Sequence, residues 1–238
     1  MKNKYEGWEL EYFDIATNFR EYQFRLIKNS IKGHVAEVGP GNGVIAGKYK
    51  FLAKKIDLYE TSNLLFNNLN KKFKNKKKVT VFNKTLKSKK KYNTIIYLDV
   101  IEHIKKDKAE IINALNHLKK NGILIINVPA FNFLYSKFDK DVGHFKRYNK
   151  RDFKVILKDI KHISYKMNYY DSIGFILSMF NKFFSGKGSK FMKSKILFWN
   201  SMILVSQIID KITFNLDFRY KCKFLHFHQH RYYLQLEK

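Results

Sequence analysis

The segment from Glu37 to Gly43 reads EVGPGNG, with glycine at every second position from 39 to 43. It follows the β-rich run HVAEV and precedes the helical stretch VIAGKYKFLAKK. Glycines in that place allow a sharp turn between a strand and a helix, and they let a ligand approach bare main chain. The segment therefore predicts an α/β fold whose first strand leads into a ligand-binding loop.

Short β-rich runs alternate with amphipathic stretches from about His34 to Ala130, which is typical of a parallel sheet with crossover helices. Five of these runs predict strands, at 34–38, 55–60, 79–83, 94–99 and 122–129. We expect a further strand at 162–171.

Two helices are predicted with clear boundaries. The first covers roughly Lys106 to Lys120, and Gly122 follows it as a stop signal. The apolar residues on its predicted face recur at spacings of three and four and are Ile111, Ile112, Leu115 and Leu118. The second runs to about Lys158, because Asn149 and Asp152 suit its cap and first turn.

The domain organisation is predicted from composition along the chain. Residues 1–32 form an aromatic-rich helical lead packed beside or over the site, and residues 33–238 form one domain. Within that domain, 172–220 is expected to be a helical lid or insertion. Its most apolar part, 196–209, is shorter than the roughly 20 residues of a membrane span. A buried helix is the favoured interpretation, and an interfacial membrane contact is the alternative.

The chain is strongly basic, with 47 Lys and Arg against 20 Asp and Glu and a formal net charge of +27. Proteins that bind nucleic acid or anionic membranes carry such a charge, but a compositional drift towards Lys and Asn also produces it. Charge alone therefore selects no partner. The single cysteine argues against a disulfide framework, and the first residues lack the apolar run of a signal peptide. We expect a cytoplasmic protein and leave peripheral contact with an anionic membrane open.

The residues near the three glycines limit which class of nucleotide-like ligand the loop can bind. Val44 stands where the third glycine of a dinucleotide fingerprint would fall, and no Lys-Ser or Lys-Thr pair follows as in a P-loop. Glu60 ends the next predicted strand, where a carboxylate can accept hydrogen bonds from both ribose hydroxyls. The pattern favours a nucleoside without a polyphosphate.

These motifs resemble the class I S-adenosylmethionine-dependent methyltransferases. The resemblance rests on EVGPGNG, on DLYE ending at Glu60, and on TIIYLDVIEHI followed by a helix and NGILIINVPA, and it covers about residues 33–157. It implies a Rossmann-like sheet of about seven mainly parallel strands with helices on both faces. It also implies S-adenosylmethionine as the cofactor.

The resemblance further implies which residues bind the cofactor. The glycines would line its methionine and ribose portion, Glu60 would hold the ribose hydroxyls, and Asp99 would lie near the methionine part. The implied cofactor-binding residues are Glu37, Gly39, Gly41, Gly43, Glu60, Asp99 and Val100. The family often has an acidic residue after the third strand for the adenine amine, whereas this chain reads FNKTL, with Asn83 or Thr85 as a substitute.

On the acceptor side, a hydroxyl or a protonated amine must lose a proton during methyl transfer, and histidine suits that task near neutral pH. The predicted catalytic residues are His144, in the segment after the fifth strand, and His103, just past the fourth. The predicted substrate-binding residues are Tyr135, Asp139, Arg147 and Tyr148. This segment resembles one in a subset of bacterial class I methyltransferases associated with cell-surface saccharide or lipid pathways.

The sequence thus predicts methyl transfer to a small-molecule, saccharide or lipid-headgroup acceptor. The alternative is an RNA methyltransferase that binds nucleic acid through the basic surface. It is disfavoured because LDVIEH replaces the N-P-P-Y-like loop of amino-methylating enzymes, and because Cys222 lies in the wrong region for a C5-methylating nucleophile. No metal is expected, since the histidines of HFHQH, at 226, 228 and 230, have no carboxylate nearby in sequence.

Overall fold

The computed structural model describes residues 10–160, 163–183, 189–214 and 222–229. The helices are α1 Leu10–Asp14, α2 Thr17–Ile27, α3 Val44–Tyr49, α4 Asn63–Phe73, α5 Asp107–Asn116, α6 Lys137–Asp141, α7 Lys150–Leu157, α8 Ser172–Phe183, α9 Ser189–Ser201 and α10 Ile203–Phe214. The strands are β1 His34–Val38, β2 Lys55–Tyr59, β3 Val79–Phe82, β4 Tyr92–Leu98, β5 Leu118–Pro129, β6 Ile163–Tyr170 and β7 Cys222–Gln229.

The seven strands form one sheet in the order β3-β2-β1-β4-β5-β7-β6. The first five pair in parallel, and β7 pairs antiparallel with both β5 and β6. The predicted sheet of about seven mainly parallel strands is therefore confirmed. Because β2 and β3 lie on one side of β1 and β4 lies on the other, the helices that follow β1 and β4 pack on opposite faces of the sheet, and a crevice forms where the two strands end. Open α/β sheets bind their ligands at such a switch point.

Hydrophobic cores lie on both faces of the sheet, as expected. One core includes Tyr49 of α3 and Leu69 of α4, and it extends to Phe19 of the N-terminal lead. The other includes Ile111 of α5 and Phe153 of α7. Since α2 packs into the first core, the lead is an integral part of the fold.

The helix predicted from Lys106 to Lys120 is too long. It ends at Asn116, and β5 begins at Leu118, which pairs with Tyr92. Gly122 is therefore not a helix stop but lies inside β5. The side chain of Ile112 is 37% exposed, so it was wrongly placed on the buried face. Strand pairing overrode the helical period, and the His117 ring fixes the end of α5 by contacting the backbone oxygens of Asn113 and Ser88 at 2.7 and 2.8 Å.

The other predicted elements are found with small changes of boundary. The predicted helix after Asn149 is α7, and Asn149 and Asp152 form its reciprocal cap, since the Asn149 backbone N–H donates to the Asp152 carboxylate. The strand expected at 162–171 is β6. The strand predicted at 94–99 begins two residues earlier, at Tyr92.

The predicted single buried helix over 196–209 is wrong. The segment is divided at Met202 between α9 and α10, and among the side chains described from 193 to 212 only one side of each helix is buried. Trp199 and Ile203 face the core, whereas Phe198 and Leu204 are exposed. Among the helices that the structure describes, none has the length and apolarity needed to cross a membrane.

Candidate active site

The loops after β1 and β4 meet at the crevice. Gly39 has a φ of +65°, and a Cβ atom there would lie 2.6 Å from a methyl carbon of Val100. A side chain at position 39 would thus be strained and would also collide with the opposite loop. Both residues are predicted to bind the cofactor, and the fold brings them into direct proximity.

Glu60 lies at the end of β2 against the glycine loop. Its buried carboxylate accepts a hydrogen bond from the backbone N–H of Ser62 at 2.9 Å, and the backbone of Thr61 and Gly41 also acts to lower its pKa. Burial raises the pKa of Glu60 in spite of these effects. The predicted ribose-binding carboxylate therefore lies beside the main chain of the glycine loop, which is predicted to bind the same cofactor.

Glu37 and Gly43 lie in the same part of the fold but have structural partners of their own. The Tyr49 hydroxyl donates to the Glu37 carboxylate at 2.6 Å, and burial raises the pKa of Glu37 to about 7. A Cβ atom at Gly43 would meet Leu69 and Phe73 of α4 at 2.7 and 2.8 Å. Close packing of α4 against the loop therefore requires glycine at 43, and contact of either residue with a cofactor stays a prediction.

Asp99 follows β4 with a φ of +57°. The Asn127 amide donates to it at 2.6 Å, and the Arg20 guanidinium lies 3.8 Å away. The Asp99 side chain is still 40% exposed and can contact a ligand. No sequence motif marks Arg20 or Asn127, although the N-terminal lead that contains Arg20 is predicted to pack near the site.

The lead also covers the glycine loop. The Asn42 amide donates to the Asp14 carboxylate at 2.7 Å, and a Cβ atom at Gly41 would lie 3.1 Å from Leu10. The loop is therefore bounded by α1 on one side and by Glu60 on the other. The substitutes suggested for the adenine contact are less enclosed: Asn83 and Thr85 are exposed, and Asn83 donates to Asn63.

The predicted acceptor segment is organised around Asp139. Its carboxylate accepts hydrogen bonds from Arg147 at 2.8 and 2.9 Å, from His144 Nδ1 at 2.9 Å and from the Ser136 backbone at 2.9 Å. Burial acts to raise the pKa of Asp139, but the bonds from His144 and Arg147 hold it well below its usual value. Asp139 is thus a charged, fully buried anchor for the His144 ring.

Three of the predicted substrate-binding residues have buried hydrogen-bond partners within the protein, and their contact with an acceptor stays a prediction. Asp139 and Arg147 are buried against each other, and their polar groups orient His144. Tyr148 is fully buried and donates to Asp107 at 2.9 Å. Tyr135 donates to the His144 carbonyl at 2.7 Å and is only partly buried, so its contact with an acceptor stays a prediction.

The two predicted catalytic histidines come together with Glu102. The rings of His103 and His144 lie 4.6 Å apart at 79°, and His144 Nε2 is 3.9 Å from a Glu102 carboxylate oxygen. Burial and the neighbouring His144 lower the pKa of His103 to about 4, so its imidazole is neutral near pH 7. Glu102 was noted only as part of the turn after β4. Its role depends on the distant loop that ends at Phe145, whose backbone N–H donates to the Glu102 carbonyl at 2.8 Å.

The structure describes only part of the HFHQH segment. His226 and His228 lie on β7, and His230 is outside the described residues. Within the described part of the chain, the group of three side chains able to share a metal ion is Glu102, His103 and His144.

Comparisons with solved structures support the fold. The N-methyltransferase NodS from Bradyrhizobium japonicum WM9, in complex with S-adenosyl-L-homocysteine, aligns with a TM-score of 0.55 at 10% identity, over 90% of this chain and 87% of that one. The YcgJ protein from Bacillus subtilis gives 0.58 at 10% identity, over 89% and 98%. The plantazolicin methyltransferase BpumL gives 0.54 at 14% identity, over 92% and 85%. At identities this low, the structural alignments show a shared fold and nothing more specific.

The family is established by sequence. No curated protein matches the chain. A family model described as a methyltransferase domain matches residues 11–165, a range that includes β1 to β5 and both loops of the crevice. The predicted family is thereby confirmed, and the chain belongs to the methyltransferase domain family.

Proposed function

We propose that this chain transfers the methyl group of S-adenosylmethionine to a small-molecule acceptor. The observation that carries the proposal is that the glycine loop, with Gly39 against Val100, and the buried Glu60 carboxylate lie together at the sheet's switch point. A nucleoside sugar would lie against Glu60, and the amino-acid part of the cofactor would extend towards Asp99. The relative NodS was crystallised with S-adenosyl-L-homocysteine in its own structure.

Calorimetry with S-adenosylmethionine and S-adenosylhomocysteine tests this binding. Glu60→Ala should weaken both by about 1.5 to 3 kcal/mol, the loss expected when charge-assisted hydrogen bonds are removed. Asp159→Ala is the matched control, because Asp159 is an exposed carboxylate paired with Lys108. Equal affinity in wild type and the Glu60 variant would overturn the proposal.

The reaction is an in-line displacement. The acceptor atom forms a bond to the methyl carbon as the carbon–sulfur bond breaks, the electron pair remains on sulfur, and the acceptor loses a proton. Alignment of donor and acceptor supplies much of the acceleration. We assign assistance with proton loss to the cluster of Glu102, His103 and His144, because it adjoins Asp99 on the acceptor side. His144→Ala should retain cofactor affinity and lose turnover.

We further propose that the acceptor is a lipid headgroup or a lipid-linked saccharide at an anionic membrane surface. Helices α8, α9 and α10 expose large apolar side chains in stripes at helical spacing, namely Ile176, Met179, Phe180, Leu197, Phe198, Leu204, Val205, Ile208 and Ile212. Monomeric soluble proteins seldom expose so many apolar groups together. An amphipathic surface of this kind suits the boundary between headgroups and acyl chains.

The charge of these helices fits an anionic partner. Among their described side chains, Asp210 is the single carboxylate, and it is buried against Tyr22 and Ser172. Lys193 and Lys211 are exposed. Basic side chains beside exposed apolar ones favour anionic over neutral bilayers, because each adds attraction to the negative surface.

Vesicle co-sedimentation tests the surface. The double variant Leu204→Glu, Ile208→Glu should bind phosphatidylglycerol-containing vesicles at least about tenfold more weakly, since it places charge where apolar groups would be buried. The control Val155→Glu changes an apolar residue of α7 that is equally exposed, at 63%. Equal binding by both variants, or equal binding to pure phosphatidylcholine, would contradict the proposal.

A further inference from the structure

The turn after β4 holds a carboxylate in an unusual state. Glu102 is 1% exposed, and apart from its own backbone N–H, neither of its oxygens has a hydrogen-bond partner among the described residues. Burial of a charged carboxylate is costly unless a cation or hydrogen-bond donors compensate it. Both carboxylate oxygens are therefore open to a ligand that the surrounding side chains do not supply.

Two imidazoles face the same place. One potential ligand atom from each of Glu102, His103 and His144 lies within 4.8 Å of the other two, and His144 Nε2 is 3.9 Å from Glu102 Oε1. The gap between His144 and Glu102 is too long for a direct hydrogen bond. It suits an ion bridging the two groups.

We propose that Glu102, His103 and His144 bind a divalent transition-metal ion of the Zn²⁺ or Mn²⁺ type. Two imidazoles and one carboxylate are a donor set that these ions accept, with positions left open for other ligands. Hard ions such as Ca²⁺ prefer all-oxygen sites.

The surroundings of both histidines match those of metal ligands. A histidine that binds a metal usually donates its other ring N–H to a carboxylate or a backbone carbonyl, which fixes the ring. His144 uses Nδ1 for Asp139 at 2.9 Å, which leaves Nε2 directed towards Glu102. His103 has a hydrogen bond to the backbone of Gly143. Asp139 is itself fixed by Arg147, so the His144 ring is oriented before any ion arrives.

The ion would act on the acceptor, a role that rests on the proposed function. An acceptor hydroxyl bound at an open position has a lowered pKa, so its O–H bond breaks and the proton passes to solvent. The oxygen then bonds to the methyl carbon while the carbon–sulfur bond breaks and its electron pair stays on sulfur. In this arrangement His144 serves as a ligand. If no ion binds, His144 remains available to take the proton itself.

Metal binding is measured directly, without the acceptor. The full chain is stripped with a chelator, dialysed and titrated with Zn²⁺ and with Mn²⁺ by calorimetry, and Co²⁺ absorption reports imidazole coordination. Wild type should take up one ion per chain. E102Q keeps the shape of the side chain and should weaken binding at least tenfold, and H144N gives a second, independent ligand loss. Asp159→Asn, an exposed carboxylate, should bind as wild type does.

The results separate the two proposals. No uptake by folded wild type above the level of E102Q, or equal affinity in E102Q, H144N and wild type, would overturn the metal site. Binding of S-adenosylmethionine is measured on the same stripped protein. If it is retained while metal uptake is absent, only the metal site fails; if it is absent while metal binds as expected, the proposed methyl transfer fails.

Discussion

Asp139 and Arg147 form a buried two-point ion pair, with Arg147 Nε at 2.8 Å from one carboxylate oxygen and Nη2 at 2.9 Å from the other. Paired donors in this fork geometry fix both orientation and charge. The same carboxylate fixes the ring of His144. The orientation of the His144 ring therefore depends on a buried ion pair.

Asp139→Ala should destabilise the fold by about 3 to 5 kcal/mol, because it leaves the Arg147 charge buried without a partner. Urea unfolding followed by circular dichroism measures the loss. Asp141→Ala is the control, since Asp141 forms an i,i+4 pair with Lys137 at the surface. That variant should change stability by no more than about 1 kcal/mol. A similar loss in the free energy of unfolding in both variants would show that the buried ion pair stabilises the fold no more than the surface pair does.

Glu37→Gln should alter how stability depends on pH. Burial raises the pKa of Glu37 to about 7, so the folded protein keeps its proton while the unfolded chain ionises near its ordinary value of 4.5. The stabilisation from this group is complete below pH 4.5 and is lost as pH rises to 7. The Gln variant is always neutral and keeps the Tyr49 partner. It should therefore gain about 3 kcal/mol relative to wild type between those pH values, at 1.36 kcal/mol per pKa unit.

Unfolding of the cofactor-free protein at a series of pH values tests this expectation. Glu21→Gln is the comparison, because Glu21 is a surface carboxylate whose pKa is lowered by its hydrogen bond with Lys48. Its stability difference should have the opposite sign of pH dependence. Parallel curves for Glu37→Gln and wild type would contradict the assigned protonation.

Gly41→Val should abolish cofactor binding. The backbone there has a φ of +55°, and a branched side chain would both strain it and occupy the loop beside Glu60. We expect a stability loss of about 1 to 2 kcal/mol from the strain alone. In Gly47→Ala, by contrast, the added Cβ has no atom within 4 Å and lies in α3. That control should keep cofactor affinity and gain up to about 1 kcal/mol of stability. Retained binding in Gly41→Val would show that the loop is only a turn.

Features that depend on local sequence were predicted correctly, whereas features that depend on long-range contacts were missed. The glycine loop, Glu60 and Asp99 are marked by strand ends and glycine spacing, and the fold brings them together as expected. The end of α5 was missed because pairing of Leu118 with Tyr92 is a non-local interaction. The exposed side of α9 and α10 was missed for a related reason, since an apolar run does not reveal which of its residues find a core.

The acceptor side shows a different limit. Residue types in the segment after β5 correctly suggested a polar cluster, but type does not tell a substrate contact from a buried support. Asp139, Arg147 and Tyr148 have buried partners within the protein, and only their hydrogen bonds reveal this. Glu102 was overlooked because its distinguishing feature is a buried carboxylate without hydrogen-bond partners among the described side chains. That burial depends on packing by the loop that contains Phe145, about 40 residues away in sequence.

Substitution of Arg20 tests whether the N-terminal lead contributes to cofactor binding. Its guanidinium lies 3.8 Å from Asp99, and its side chain is mostly buried. Arg20→Leu should therefore weaken S-adenosylmethionine binding by about 1 kcal/mol or more, because Asp99 loses the cation that orients it. Arg25→Leu removes an exposed guanidinium of the same helix, paired with Glu21, and should leave affinity unchanged. Calorimetry on the three proteins decides the point. If both variants bind as wild type does, the lead only covers the core; if Arg20 alone matters, residues before β1 form part of the binding site.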